Sequence, residues 1–186
     1  MRFSRLRRAV ATLACATAVV AGATACTPAE PEKTPTPTKT AIFASEDEAL
    51  QAAVDVYQQY SAAYDEALSS AEPDYSAVSK YATERFISEL VAADEEVANG
   101  SMVEGTSSFD TVSLVDFDHR SDPVKVDIKL CRDVSKQAIV DANGKDITPD
   151  ERLERFPFEV LLVWDDANST LKVDDLGSWQ GENFCA

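Results

Sequence analysis

Residues 124–134 read VKVDIKLCRDV, and the alternation within them decides the fold class. Val124, Val126, Ile128 and Leu130 fall on one face of an extended chain, and Lys125, Asp127, Lys129 and Cys131 fall on the other. A period of two with a single apolar face is the pattern of a strand whose sheet is covered on one side only. Working outward, Thr111–Asp118, Ala138–Asp141, Phe156–Asp165 and Leu171–Leu176 are also rich in Val, Leu, Ile and Phe. Turn chemistry separates them at Ser121-Asp122-Pro123, Asn143-Gly144 and Asn168-Ser169-Thr170, so the strands are predicted to pair as antiparallel hairpins, with Asn143-Gly144 as a type I′ turn. Thr148-Pro149-Asp150-Glu151 offers a cap, a proline at the first helical position and a glutamate two residues on, which predicts one or two helical turns running to Arg155.

Before Gly105 the period is that of helices. Ser45 and Glu48 form a Ser-x-x-Glu capping box, and Leu50, Val54, Tyr57, Ser61, Tyr64 and Leu68 follow at alternating spacings of four and three. Pro73 closes this long amphipathic helix. Asp74 can cap a short helix carrying Tyr75, Val78 and Tyr81, and Thr83 can cap another carrying Phe86, Ile87, Leu90, Val91 and Val97, stopped at Asn99-Gly100. Helices first and a meandering sheet afterwards predict an α+β domain over 45–186, with N-terminal helices packed on one face of a curved antiparallel sheet.

The chain ahead of that domain has a different character. Arg2, Arg5, Arg7 and Arg8 precede an apolar run, Ala9–Gly22, that is too short to span a bilayer, as in an export signal over 1–25. Ala23-Thr24-Ala25-Cys26 resembles the lipobox of bacterial lipoproteins, in which the cysteine receives a diacylglyceryl group and becomes the mature N-terminus. Leu13-Ala14-Cys15 competes less well, because Ala9–Ala14 falls short of the ~7–15 apolar residues an export signal needs. Ala23-x-Ala25 also suits ordinary secretory cleavage, and that alternative stays open at this point. Residues 26–44 then form a lipidated cysteine and a stalk, with Pro28, Pro31, Pro35 and Pro37 and no aromatic residue before Phe43. In polyproline II geometry residues 27–40 reach roughly 40 Å. The expected location is the outer face of the cytoplasmic membrane, held there through Cys26.

The formal net charge is −16, and removing the four leader arginines takes it to −20. Such a field repels phosphate backbones and anionic lipid, so nucleic acid is not an expected partner. Cys15 leaves with the leader and Cys26 carries lipid. Cys131 and Cys185 remain and are predicted to pair in an oxidising compartment, closing a loop of about 55 residues.

The order of elements, the tyrosine-bearing first helix, Cys131-Arg132-Asp133-Val134-Ser135 followed by Val140-Asp141-Ala142-Asn143-Gly144-Lys145, and the closing Trp179–Cys185 carry a resemblance. They are similar to secreted lipoproteins of actinobacteria with a nuclear transport factor 2-like, cystatin-like α+β domain, over nearly all of 45–186. The resemblance implies a cone-shaped sheet around the long helix, often with a pocket at its open end. It implies no reaction.

Candidate chemistry is sparse. His119 is the only histidine and sits beside Asp118 in an expected hairpin turn, where an exposed polar side chain is the simpler account. Asp116, Asp118, Asp122, Asp141, Asn143 and Asp146 are hard oxygen donors, but no stretch has the spacing of a calcium loop, and no metal or other cofactor is expected. Tyr57, Tyr60 and Tyr64, with Asp116 and Trp164, are the candidate pocket residues. Whether Asp116 points inward depends on register, since Val112 and Leu114 place it inside whereas Val115 and Phe117 claim that face one residue later. The leading expectation is a membrane-anchored, non-catalytic binding or accessory module for an envelope protein, glycan or small ligand. The alternative is a small pocket enzyme of isomerase or dehydratase type using a carboxylate and a tyrosine.

Overall fold

A computed structural model describes residues 41–98 and 100–185, apart from the side chains of 96–98. The expected export signal, Cys26 and most of the expected stalk lie outside the described residues. The elements are α1 (Glu46–Leu68), α2 (Glu84–Ala98), β1 (Met102–Glu104), β2 (Ser108–Asp118), β3 (Lys125–Asp133), β4 (Ala138–Val140), β5 (Arg155–Asp165) and β6 (Thr170–Ser178), with a 3-10 turn at Val78–Lys80 between the helices. The class is α+β. β2, β3, β5 and β6 form one antiparallel sheet in that order, and β1 pairs with β4 in a separate antiparallel ribbon.

The local signals for the helix starts act as expected. Ser45 Oγ accepts from the Glu48 amide at 3.1 Å, and the Glu48 carboxylate reaches back to the Ala44 amide at 2.6 Å, one residue earlier than in the usual box. Thr83 Oγ1 accepts from the Phe86 amide at 3.2 Å and starts α2. On the sheet, Val126, Ile128, Val160, Leu162, Leu171 and Val173 face inward, buried against Ala49, Ala53, Val56, Tyr57 and Tyr60 of α1. Ala49 and Ala53 are wholly inaccessible; their small side chains let the helix axis approach the strands closely.

Each edge of the main sheet has its own treatment. Along β6, the Tyr81–Thr83 connection adds two backbone bonds, Thr83 N–H to Val173 O at 2.9 Å and Val173 N–H to Tyr81 O at 2.8 Å. Arg85 reinforces it with an ion pair to Asp174 at 2.9 Å. The opposite edge, β2, is interrupted by register shifts between Asp110 and Ser113 and between Leu114 and Asp116, with Thr111 at φ 52°. Bulges of this kind blunt an edge against further pairing.

Two local expectations are corrected. Residues 148–154 form a turn and no helix before β5 begins at Arg155, with the Arg152 amide bonded to Pro149 O. Thr148 Oγ1, the expected cap, accepts instead from the Ile139 amide at 2.8 Å, and the Arg152 guanidinium donates to Val134 O and Gln137 O at 3.1 and 2.8 Å. The turn at Asn143-Gly144 is not type I′, which needs positive φ at both residues; only Gly144, at φ 76°, has it. Asp141 organises this turn instead: its Oδ1 accepts from the Asn143 and Lys145 amides.

Candidate functional site

The tyrosine face of α1 is the starting point. Tyr57, Tyr60 and Tyr64 repeat at helical spacing and their rings stack in succession at 6.0 and 5.9 Å. Tyr57 and Tyr60 are 1% exposed, with Tyr57 edge-on to Phe109 at 4.9 Å and Tyr60 against Phe86 at 6.0 Å. These two are core residues. Tyr64, one turn further on, is half-buried and makes a polar contact: its hydroxyl donates to both oxygens of Asp94, at 3.0 and 3.2 Å.

Asp94 comes from α2, on the stripe that Phe86 and Leu90 begin at intervals of four. Where that stripe would continue with an apolar residue it presents a carboxylate. Tyr75, from the connection between the helices, donates to Asp94 Oδ2 at 2.6 Å. Three chain segments therefore converge on one carboxylate. Burial pushes the Tyr64 and Tyr75 hydroxyls above the ordinary tyrosine range, and the charge and hydrogen bonding of Asp94 push the same way. Both stay protonated donors at neutral pH.

Beside this cluster lies a cleft of about 600 Å³, with Tyr75 and Asp94 on its wall. Leu68 lines it at the end of α1, Pro73 in the connection that follows, Val91 on α2, and Val103 and Ile139 on the β1–β4 ribbon. Its volume is within the range of small-molecule sites, and an apolar wall with a few converging polar groups is their usual make-up.

A second groove, about 580 Å³, runs along α1 past Ser61, Asp65 and Ser107. Asp65 is 6% exposed and accepts from the Ser107 amide at 2.7 Å, the Ser107 hydroxyl at 2.9 Å and Gln137 Nε2 at 3.0 Å. With all of these donors supplied by the protein, its carboxylate acts as a structural tie. Gly105 lets the chain pass there: at φ 90°, a Cβ on it would stand 2.0 Å from Lys136 O.

The remaining predicted site residues fall elsewhere. Asp116 is exposed on the face of the sheet opposite α1, because the register shift puts an extra residue, Val115, into β2. Leu114 opposite Ile128 and Phe117 opposite Val126 then both point inward. Asp116 instead pairs with Asp127, whose carboxyl is pushed up to about 7, first by burial and then by Glu159 and Asp116. Trp164 packs edge-on to Phe43 at 5.5 Å. It lies about 25 Å along the strands from the Tyr57–Phe109 contact. The tyrosines are thus joined neither to Asp116 nor to Trp164; the carboxylate that Tyr64 meets is Asp94, which the sequence signalled only as a break in an apolar stripe.

Cys131 and Cys185 stand as a disulfide pair with Cα atoms 5.5 Å apart. His119 is exposed, its ring 5.8 Å from that of Phe117. The carboxylates of Asp118, Asp141 and Asp146 accept from backbone amides of their own turns, and among the described residues no group of three or more His, Cys, Asp or Glu is placed to hold a metal ion. No protein-family model matches the chain, and no curated protein matches it significantly.

Proposed function

We propose that this chain is a lipid-anchored, extracytoplasmic binding module of nuclear transport factor 2-like architecture that captures a small ligand in the cleft beside Asp94. The observation that carries the reading is the cleft itself, with its apolar walls and one carboxylate positioned by two tyrosyl hydroxyls at 2.6 and 3.0 Å. A long helix lying across one face of a four-stranded antiparallel sheet supports the architecture. The arginine-led apolar segment, Cys26 and the proline-rich stalk support the anchoring.

The Tyr64 and Tyr75 hydroxyls hold the Asp94 carboxylate in one orientation on the cleft wall, ready to meet a ligand. The pocket-enzyme reading keeps one observation in its favour, a carboxylate and tyrosine 2.6 Å apart in an apolar cleft, and in that reading Asp94 replaces Asp116 as the candidate base.

A thermal-shift screen of small amphipathic compounds, followed by calorimetry, tests the proposal. Saturation at 100 times Kd adds about 2.7 kcal/mol, equivalent to several degrees in Tm for a domain of this size. The expected hits bind saturably, lose affinity in a Leu68→Trp variant that fills the cleft, and are recovered unchanged. Absence of any saturable hit overturns the binding reading. Turnover of a carbonyl compound that falls by orders of magnitude in Asp94→Asn would establish the enzyme instead.

A further inference from the structure

Resting on that reading of the cleft, we infer that its ligand is a small organic cation: an amine or quaternary ammonium carried on a hydrocarbon body. The charges on the cleft wall are of one sign. Asp94 and Glu95 line it, and no Lys, Arg or His does among the described lining residues. A carboxylate or phosphate ligand would be brought against two like charges with no counter-charge beside them, in surroundings that Leu68, Val91 and Ile139 make less polar than water. A neutral ligand would gain nothing from either carboxylate beyond hydrogen bonds. A cation gains from both.

The geometry suits that occupant in three further respects. Asp94 is held in place by Tyr64 and Tyr75 before any ligand arrives, so its charge is pre-organised. A carboxylate has about four acceptor positions, and three tyrosyl contacts leave room for an N–H donor. Tyr75 also lines the cleft, and an aromatic residue beside a carboxylate is a favourable setting for an ammonium group. At long range the net charge of −16 draws cations toward the protein.

Three probes of nearly equal size and shape provide the test on the intact domain: 1-adamantylammonium, 1-adamantanol and 1-adamantanecarboxylate, titrated by calorimetry at low and high salt. The expected ranking has the ammonium at least tenfold tighter than the alcohol and the carboxylate weakest, with the ammonium's advantage shrinking as salt rises. Glu95→Gln, at an exposed position, reduces that advantage, and Asp94→Asn reduces it further; should Asp94→Asn fail to fold, the wild-type ranking and Glu95→Gln decide. Equal affinity for the three probes, or tightest binding of the carboxylate, leaves the cleft as a ligand site but overturns its cation selectivity. Binding of none at millimolar concentration removes the cleft reading and this inference together.

Discussion

Asp65 shows how a single buried charge can organise a fold. Its carboxylate collects the Ser107 amide, the Ser107 hydroxyl and Gln137 Nε2, which come from the β1–β2 connection and the β3–β4 loop. Replacing it with alanine removes the acceptor from all three donors while they stay buried or half-buried. Asp65→Ala is expected to lower unfolding stability by about 2–4 kcal/mol, read from urea midpoints, whereas Asp74→Ala, at an exposed turn, should change it far less. Asp127 acts in the opposite sense. Burial, with Glu159 and Asp116 close by, pushes its folded-state carboxyl up to about 7 from an unfolded value of about 3.9, so the native state holds the proton more tightly and loses stability as pH rises through that interval. Asp127→Asn should therefore be more stable than wild type at pH 8, with the difference vanishing below pH 4. An unchanged pH dependence would remove Asp127 from the account.

At the scale of elements, the C-terminal tail is the segment whose placement needs the most explanation, since it follows the last strand and carries no regular structure. It crosses the outer face of the sheet, where the Lys129 ammonium lies over the Trp179 ring at 4.6 Å and the Phe184 ring at 5.0 Å. Arg155 adds a second attachment, donating Nε to Cys185 O at 3.0 Å and making a two-pronged ion pair with Asp110. The disulfide joins this tail to β3. With the cysteines 54 positions apart in sequence, chain entropy gives a stabilisation of about 4 kcal/mol. The paired variant Cys131→Ser/Cys185→Ser is expected to melt roughly ten degrees lower, with limited proteolysis cutting first near Trp179. A tail that stays protected without the disulfide would show that Arg155 and the cation–π contacts suffice.

At the scale of the whole molecule, the acidic charge shapes both stability and placement. Hydrogen bonds from Arg155 and Thr111 hold Asp110 down to about 2, and backbone and hydroxyl donors hold Asp133, Asp141 and Asp146 below the ordinary carboxylate range. Their stabilisation is present above pH 4 and is lost as pH falls through their depressed values. Asp127 works the other way between about 4 and 7, and self-repulsion among the acidic groups grows over the same range. Stability should thus be greatest near pH 4–5, decline toward pH 8, and drop steeply below pH 3, as urea midpoints across this range would show. For the proposed anchor, Cys26→Ser in the full chain should abolish lipidation and prevent mature membrane-retained protein from forming. Normal processing with unchanged retention would overturn it.

The sequence by itself determined what neighbouring residues decide among themselves. The caps at Ser45 and Thr83, the alternation in 124–134 and the turns at Ser121-Asp122-Pro123 and Asn168-Ser169-Thr170 act within a few residues, so their effects could be read directly from spacing. The cysteine pair was legible for another reason: once Cys15 and Cys26 are assigned to export and lipid, only Cys131 and Cys185 remain. Contacts distant in sequence were decided by tertiary structure alone. The three-residue strand β1 is too short to carry a period, and β4, legible as Ala138–Asp141, gave no sign that it would pair with β1. Residues 148–155 have the capping residues of a helix, yet Thr148 and Arg152 find stronger claims from backbone groups of another segment. The inward or outward direction of Asp116 turned on one extra residue in β2, whose position is set by pairing with β3. Asp94 became a candidate site residue only because packing turns that face of α2 toward Tyr64 and Tyr75: a carboxylate's own neighbours in sequence do not say which hydroxyls will reach it.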